Sequence, residues 1–336
     1  MDKDRKLEHI QLAFDSKTGI TEQDRRFIYE PLLAAHPDGK TPDFPFLGKR
    51  MKAPVWVSSM TGGTGVAKTI NRNIARACRE FGLGMGLGSC RKILFDKTHW
   101  EDFDVRDEIG LDAPFWANLG VAQAEQLLHE KKEQAIVDLI GKLRADGLIV
   151  HVNPFQEYFQ PEGDHISQPP LETIQELLAK INVPLIVKEV GQGMGRESLR
   201  QLLQLPLVAI EFGAYGGTNF SRLELMRDDP QTRELFEPFA FVGQTARQMV
   251  NDINSLLDEV KPACGQLIIS GGLKTYLDGY YLVSLSRLPA VYGMASSVLK
   301  QATGDYETLR TYISNQLKAY RLAQTYLRLN PDYEGQ

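Results

Sequence analysis

The sequence predicts an α/β fold in which eight parallel strands alternate with helices and close into one (β/α)8 TIM barrel. Eight short segments are rich in aliphatic residues, and each ends in Gly or a small polar residue. Such nearly continuous apolar runs are typical of strands covered on both faces. Helical periodicity between them predicts right-handed crossovers, and eight units close a barrel. An open doubly wound sheet is the alternative arrangement.

The predicted strands are spaced so that each leaves room for a following helix. They comprise residues 54–60, 82–89, 113–119, 147–153, 184–190, 207–213, 265–272 and 290–296. The first helix should start near Thr64, with Ile70, Ile74, Cys78 and Phe81 on one face.

Similar periodicity predicts three further helices. It involves Leu171, Ile174, Leu178 and Ile181 after the fourth strand, Leu277, Leu282, Leu285 and Leu288 after the seventh, and Leu309, Ile313 and Leu317 within a final helical segment, 305–329. Residues 37–50 are rich in Pro and Gly and predict an irregular lead-in over the barrel floor. We therefore expect an N-terminal extension and floor segment at 1–53 and the barrel at 54–336.

Composition narrows the functional class. Of the 336 residues, 43% are hydrophobic and 24% are charged, which indicates a folded globular chain. The net charge of -5 gives no reason to expect a nucleic-acid partner. No apolar run approaches the roughly 18 residues of a membrane span, and the charged N-terminus differs from a secretory signal. Three widely spaced cysteines fit a reducing compartment, so a cytoplasmic protein without structural zinc is expected.

The C-terminal ends of barrel strands are where TIM-barrel enzymes place their reactive groups. The first end offers Met60, Thr61 and Gly62 in a Gly-rich turn. This stretch, GGTGVAKT, resembles a nucleoside-triphosphate loop, but Ala67 stands where that loop needs Gly. The second end offers Ser89 and Arg91, and arginine forms paired bonds to phosphate oxygens.

The fourth strand end has the densest polar set, with His151, Asn153, Gln156 and Glu157 within seven residues. The period of two in a strand places His151 and Asn153 on one face. Glu157 could ligate Mg²⁺, which prefers carboxylate and phosphate oxygens.

Other strand ends suggest a phosphate-bearing cofactor. Lys188 lies within an apolar strand and suits an electron-rich cofactor edge, because its strand neighbour Glu189 faces the opposite way. The third end supplies Asn118, an amide suited to the edge of a flavin or base. Ends seven and eight are Gly-bearing and form a phosphate-site candidate typical of this fold.

Taken in order, these strand ends resemble the type 2 isopentenyl diphosphate isomerases, which depend on flavin mononucleotide (FMN). The matching residues span positions 5 to about 296. They include Arg5-Lys6 with His9, Met60-Thr61-Gly62-Gly63, Gly88-Ser89 with Arg91, Asn118-Leu119-Gly120, His151-Val152-Asn153 with Gln156-Glu157, Lys188-Glu189-Val190-Gly191, Gly216-Gly217-Thr218 and Ser270-Gly271-Gly272.

The resemblance implies a role for each matching residue. FMN is expected at Met60, Thr61, Gly62, Ser89, Asn118, Lys188 and Thr218, with its phosphate at Gly271, Gly272, Ala295 and Ser296. The substrate diphosphate is expected at Arg5, Lys6, His9, Ser89, Arg91, His151 and Asn153. Gln156 is expected near the reacting carbons, and Glu157 is expected to bind Mg²⁺; Gln156, His151 and Lys188 form the expected catalytic set.

The implied activity interconverts isopentenyl and dimethylallyl diphosphate in isoprenoid biosynthesis, without net redox change. It requires reduced flavin, with NAD(P)H as reductant, and a homo-oligomer, either a tetramer or an octamer. Cys90, Tyr215 and Asn219 depart from the family's usual residues.

Two other functions remain as alternatives. An FMN-dependent 2-hydroxy-acid oxidase would share the barrel but needs a His base after the seventh strand, where this sequence has none. A nonenzymatic binding barrel would leave both sets of phosphate-type residues unexplained.

Overall fold

The computed structural model describes residues 5–39, 43–59 and 65–333. Its centre is a closed barrel of parallel strands that pair in chain order. The barrel strands are β4 (Val55–Val57), β5 (Gly84–Gly86), β6 (Phe115–Gly120), β7 (Leu148–Val152), β8 (Leu185–Glu189), β9 (Ala209–Glu211), β10 (Leu267–Ile269) and β11 (Ala290–Met294). The predicted TIM barrel is confirmed. The open-sheet alternative is wrong, because β11 pairs with β4 and closes the ring.

Helices surround the barrel. They are α1 (Arg5–Leu12), α2 (Ala67–Phe81), α3 (Trp100–Phe103), α4 (Arg106–Ile109), α5 (Val121–His129), α6 (Gln134–Leu143), α7 (Pro154–Phe159), α8 (Pro170–Lys180), α9 (Arg196–Leu203), α10 (Phe220–Leu225), α11 (Pro230–Phe236), α12 (Ala246–Leu256), α13 (Tyr276–Leu285), α14 (Ser296–Ala302) and α15 (Tyr306–Tyr326). Three short 3-10 helices comprise Ile20–Glu22, Arg91–Ile93 and Glu237–Phe241. Among the described residues, no helix has the length and apolar character needed to cross a bilayer.

Helix α2 illustrates how the periodic pattern produces the packing. Its side chains Ile70, Ile74 and Cys78 are buried in the main core, as predicted. The helix ends at Gly82, whose φ of 65° is a left-handed conformation that glycine adopts without steric cost.

The barrel floor is covered by a hairpin rather than by irregular chain. Strands β2 (Phe44–Phe46) and β3 (Lys49–Met51) pair antiparallel. Phe46 and Met51 are almost completely buried in a cluster with the interior residue Trp56. The irregular lead-in predicted for 37–50 is therefore wrong over these strands, because burial of alternate apolar side chains outweighs the Pro and Gly content.

The chain ends are joined by a second small sheet. Strand β1 (Phe27–Tyr29) pairs antiparallel with β12 (Leu327–Leu329). The helix predicted over 305–329 therefore ends at Tyr326, and the last three residues form a strand. Pairing with distant β1 decides their conformation, which local periodicity does not reveal.

Candidate active site

A polar layer lies at the C-terminal end of the barrel, above an apolar interior. The interior cluster includes Trp116, Ile149, Ile186 and Ala209. Residues i and i+2 of a strand share a face, so the side chain two residues further along each strand also points inward. At that level the inward-facing side chains are polar. These side chains are Asn118, His151, Lys188 and Glu211. His151, Lys188 and Glu211 pair in register across β7, β8 and β9, so they form one row.

His151 is held by Asn118. Its Nδ1 lies 2.9 Å from Asn118 Oδ1, and the Asn118 amide nitrogen donates to the Leu87 carbonyl. Because that amide oxygen can only accept, we assign the proton to Nδ1. Burial, and secondly the charge of Lys188, lower the pKa of His151 to about 3. The ring is therefore neutral at neutral pH, with Nε2 as an acceptor.

Lys188 and Glu189 face different surroundings, as predicted from strand alternation. The Lys188 ammonium donates to the Glu189 backbone carbonyl at 3.4 Å. The Glu189 carboxylate instead accepts the backbone N–H groups of Gly191, Gln192 and Gly193 at 2.7 to 2.8 Å. Glu189 therefore shapes the loop after β8 and leaves the Lys188 charge available to the barrel mouth.

Glu211 is a buried acid that sequence reasoning missed. It is 0% exposed, and Ser270 Oγ donates to Glu211 Oε1 at 3.3 Å. Burial raises its pKa, and the Lys188 charge opposes that rise. The signal was present in the sequence, since Glu211 ends an apolar strand in the same inward phase as Lys188.

A cavity opens above this layer. The predicted cofactor residues Lys188, Thr218, Gly271, Gly272, Ala295 and Ser296 all line it, together with Glu211. Gly271 has a φ of 87°, and a Cβ there would lie 2.2 Å from the Ala214 carbonyl oxygen. The loop after β10 can therefore take this shape only with glycine.

Several buried polar atoms at this cavity have no hydrogen-bond partner among the described residues. They include Ser59 Oγ and Tyr292 Oη. A buried unpaired polar group is costly, so these atoms indicate a polar ligand in the cavity.

The fourth strand end brings three predicted residues into direct contact. Asn153 Nδ2 donates to Gln156 Oε1 and to Glu157 Oε1, each at 3.0 Å. The Gln156 amide also donates to Glu224 Oε1 at 3.4 Å. Arg227 in turn holds Glu224. Glu224 and Arg227 were not predicted, because α10 and the turn that follows it lie beyond the Gly-rich strand end at Gly216-Gly217-Thr218.

Arg91, at the second strand end, is tied to Asp164. Its Nη1 and Nη2 lie 2.6 and 3.0 Å from the two Asp164 carboxylate oxygens. The Asp164 backbone N–H donates to Glu157 Oε2 at 2.8 Å. Asp164 therefore connects the predicted diphosphate residue Arg91 with the predicted metal ligand Glu157. Sequence reasoning missed it, because it lies in the loop after α7 with no motif of its own.

The remaining predicted residues that the structure describes lie outside the cavity lining and outside the hydrogen-bonded group around Glu157. Ser89 is exposed at the second strand end, and Arg5, Lys6 and His9 lie on the exposed helix α1. Met60, Thr61 and Gly62 lie outside the described residues.

The three departures from the family pattern lie in different surroundings. Cys90 is fully buried in the core, so its side chain faces away from the cavity. The Tyr215 backbone bonds to Gln244. Asn219 caps α10 by accepting the Arg222 N–H at 2.9 Å.

Comparison with curated proteins places the chain in a family. It is 34% identical over 326 residues to the isopentenyl-diphosphate delta-isomerase of a Synechococcus species, covering 95% of this chain and 90% of that protein. The protein of that name from Rickettsia prowazekii is 32% identical over 307 residues, covering 90% and 86%. The chain belongs to the isopentenyl-diphosphate delta-isomerase family. The resemblance inferred from the strand-end motifs is thereby confirmed, although no model of a protein family matches the chain.

Solved structures share the fold of this isomerase family member at low identity. A mandelate oxidase structure with an FMN adduct has a TM-score of 0.56 at 12% identity, covering 91% of this chain and 88% of the other. A flavocytochrome b2 structure with bound sulfite has a TM-score of 0.61 at 14% identity, covering 89% and 72%. At this distance the likeness establishes the barrel architecture alone.

Proposed function

We propose that this protein is a type 2 isopentenyl diphosphate isomerase, which interconverts isopentenyl and dimethylallyl diphosphate using reduced FMN and Mg²⁺. Family membership supports the activity. The observation that carries the proposal is the hydrogen-bonded group of Asn153, Gln156 and Glu157, at the same barrel mouth as a glycine-shaped cavity floored by Lys188. The residues proposed to hold the metal, the reacting carbons and the cofactor thus lie at one end of the barrel.

The residues of the cavity fit FMN. The glycine turns after β9 and β10 leave space that a Cβ would fill, and backbone N–H groups in such turns bind phosphate. Lys188 and Thr218 line the cavity and would supply polar contacts for the ring. Asn118 is bonded to His151 in the polar layer and would act from there, and Ser89, Met60, Thr61 and Gly62 belong to the same proposed site. When bound and reduced, FMN supplies a ring nitrogen that can exchange a proton with substrate carbon.

Lys188 would stabilise negative charge on the ring. Its side chain is only 7% exposed, and a buried ammonium interacts strongly with an anion beside it. The His151 imidazole would remain neutral beside Lys188, with its Nε2 facing the substrate end. The neutral imidazole adds no second positive charge next to Lys188.

Glu157 would ligate Mg²⁺ through its carboxylate. Mg²⁺ retains several of its waters when it binds proteins. Asn153 Oδ1 is buried without a partner among the described residues, so it can accept from such a water. Arg91 and the N-terminal residues Arg5, Lys6 and His9 would complete the diphosphate site.

Gln156 would orient the reacting carbons rather than carry a proton, because a neutral amide is a poor base. Its Oε1 and Nε2 are fixed by Asn153 and Glu224 at 3.0 and 3.4 Å. The reaction adds a proton to the terminal methylene carbon and removes one from the carbon next to the oxygen-bearing methylene. A fixed amide can hold the five-carbon chain in one pose through both transfers.

An aromatic cluster stands beside Gln156 and suits an apolar hydrocarbon. The rings of Phe155 and Phe159 stack with centroids 5.8 Å apart, and Phe155 and Phe239 lie 5.3 Å apart. Phe236 extends the cluster at 5.4 Å from Phe159. These rings would exclude water from the positive charge that develops on the substrate carbon.

The remaining parts of the proposal follow from the family. NAD(P)H would reduce the flavin, the protein would act in the cytoplasm, and it would assemble as a homo-tetramer or homo-octamer. A 2-hydroxy-acid oxidase is not favoured, because the loop after β10, Ser270-Gly271-Gly272-Leu273-Lys274-Thr275, offers no histidine base.

Anaerobic activity measurements test the proposal. Purified protein should be yellow, and dithionite or NAD(P)H should bleach it. The reduced protein with Mg²⁺ should convert isopentenyl diphosphate to dimethylallyl diphosphate, whereas the oxidised protein should not. A protein that no added flavin can tint, or a reduced protein that forms no product, would refute it.

A further inference from the structure

Asp164 is the most connected carboxylate at the diphosphate end of the barrel. Its two oxygens accept from both terminal nitrogens of Arg91, at 2.6 and 3.0 Å. Gln123 Nε2 also donates to Oδ2 at 2.5 Å, and the Asp164 N–H donates to Glu157. Its side chain is 25% exposed, whereas that of Arg91 is 50% exposed. The arginine is therefore held by a more buried acid.

This contact compensates the charge of Arg91, the cation at the second strand end that we assign to the diphosphate. A bonded chain runs from Arg91 through Asp164, Glu157, Asn153, Gln156 and Glu224 to Arg227, which also binds Glu162 at 2.8 Å. From Arg91 to Arg227 the chain contains three carboxylates and two guanidinium groups, so its net charge is −1. Glu162 lies beyond Arg227, and the cations Arg5 and Lys6 lie on α1, outside this chain. His151 adds no charge, because it is neutral.

A metal-free diphosphate is poorly matched to this charge distribution. It would bring about three further negative charges to a group of residues that is already anionic. Mg²⁺ reverses the balance, because it neutralises the diphosphate and is attracted by Glu157 and Asp164. Arg91 can still contact the complex, since a guanidinium has about five N–H donors and Asp164 accepts only two.

We propose that Asp164 is a specificity-determining residue, which makes this site accept a diphosphate as its Mg²⁺ complex and reject the metal-free anion. Asp164 acts through Arg91, whose charge it compensates, and through the field that it adds at Glu157. The inference rests on the proposed function, because it assigns the diphosphate to this strand end. It also explains why an acid occupies the position beside the predicted diphosphate arginine.

Binding of inorganic diphosphate to the flavin-loaded protein tests this role. Calorimetric titrations are run with excess Mg²⁺ and, separately, with EDTA. Asp164→Asn keeps the shape of the side chain and removes its charge. It should bind metal-free diphosphate about tenfold more tightly than the unsubstituted protein, because one repulsive unit charge is lost close to the ligand. The enhancement of affinity by Mg²⁺ should shrink by a similar factor.

Glu162→Gln is the matched control. Glu162 lies two residues away in the same loop, and its substitution changes the charge by the same amount, but its side chain contacts Arg227 rather than Arg91. This variant should keep the Mg²⁺ enhancement of the unsubstituted protein. If Asp164→Asn does not fold, Asp164→Ser removes the same charge and is measured in the same way.

The outcomes separate the inference from the proposed function. If Asp164→Asn leaves the Mg²⁺ enhancement unchanged, or weakens metal-free binding, the role of Asp164 is refuted even though isomerase activity persists. If the unsubstituted protein binds no diphosphate with Mg²⁺ and forms no dimethylallyl product, the proposed function itself fails.

Discussion

The His151 side chain has an environment that keeps it neutral. Burial and the nearby Lys188 lower its pKa from 6.5 to about 3. Between these pH values the unfolded chain binds a proton that the folded chain does not bind. Stability from this residue is therefore present above pH 6.5 and is lost as the pH falls toward 3.

Replacing His151 by Gln should remove this pH dependence. The free energy of unfolding of the unsubstituted protein, minus that of His151→Gln, should increase by roughly 1 kcal/mol per pH unit between pH 5 and 6.5. Urea unfolding of both ligand-free proteins at several pH values measures it. A difference that stays constant with pH would show that His151 titrates normally in the fold.

Glu157 is the residue on which the proposed metal site depends. Glu157→Gln should reduce kcat/KM at least about tenfold and raise the Mg²⁺ concentration needed for half-maximal activity, because a neutral amide is a weak ligand for Mg²⁺. Bound flavin, measured by absorbance, should be unchanged. Full activity with ordinary Mg²⁺ dependence would contradict the assignment.

The residues of the motif after β7 were predicted together, whereas Glu211 at the end of β9 and several residues in later loops were missed. Asn153, Gln156 and Glu157 share one short motif, so the sequence was sufficient to associate them. Asp164, Glu224 and Arg227 meet them only because the loop after α7, helix α10 and the turn after α10 fold over the mouth. Hydrogen bonds between separate loops leave no periodic pattern in the sequence.

At the scale of elements, two glycine turns shape the cofactor cavity. Gly271 and Gly272 have positive φ angles of 87° and 72°. An added Cβ at Gly272 would lie 2.7 Å from the Tyr215 carbonyl oxygen. The turns after β9 and β10 thus pack against each other at a distance that only glycine permits.

Gly271→Ala should therefore disrupt the proposed phosphate site. We expect FMN affinity to fall at least about tenfold, because the turn must shift both to relieve the contact with Ala214 and to leave the left-handed region. Gly265→Ala is the control, since no atom lies within 4 Å of the added Cβ at the start of the same strand segment. Titration of flavin fluorescence measures both, and equal affinities would argue against this phosphate site.

Elements of the barrel were predictable, because strands covered on both faces and helices packed on one face have distinct periodicities. Elements outside it were not. The hairpin β2–β3 contains Pro45 and follows a Pro-rich stretch, yet its Phe46 and Met51 side chains are buried in the apolar cluster at the barrel floor. Local composition there indicates a loop, and tertiary burial overrides it.

At the scale of the whole molecule, the N-terminal and C-terminal segments are joined beside the barrel. Besides the β1–β12 ladder, Phe27 stacks on Tyr280 at 5.8 Å and meets Tyr281 edge-on at 6.0 Å. Arg26 forms an ion pair with Asp278 of α13 at 2.6 Å. The segment around β1 is thus attached to the barrel's outer helices, although no local pattern in the sequence indicates that the last strand pairs with β1.

Phe27→Ala should loosen this attachment without unfolding the barrel. Amide hydrogen exchange in residues 20–30 and 327–330 should become about tenfold faster, because the ring supplies most of the apolar contact there, while exchange in β6 to β8 should not change. Ile28→Ala is the matched control, since that side chain is 40% exposed in the same strand. Identical exchange in both variants would mean that Phe27 does not anchor the segment.

The central claim is that the barrel mouth moves a proton on a five-carbon diphosphate without net redox change. Its most direct test is anaerobic incubation of the reduced, Mg²⁺-loaded protein with isopentenyl diphosphate in heavy water, followed by NMR. The account predicts dimethylallyl diphosphate with deuterium in a methyl group and flavin that remains reduced. Unlabelled substrate with no product, or flavin oxidised in proportion to substrate consumed, would contradict it.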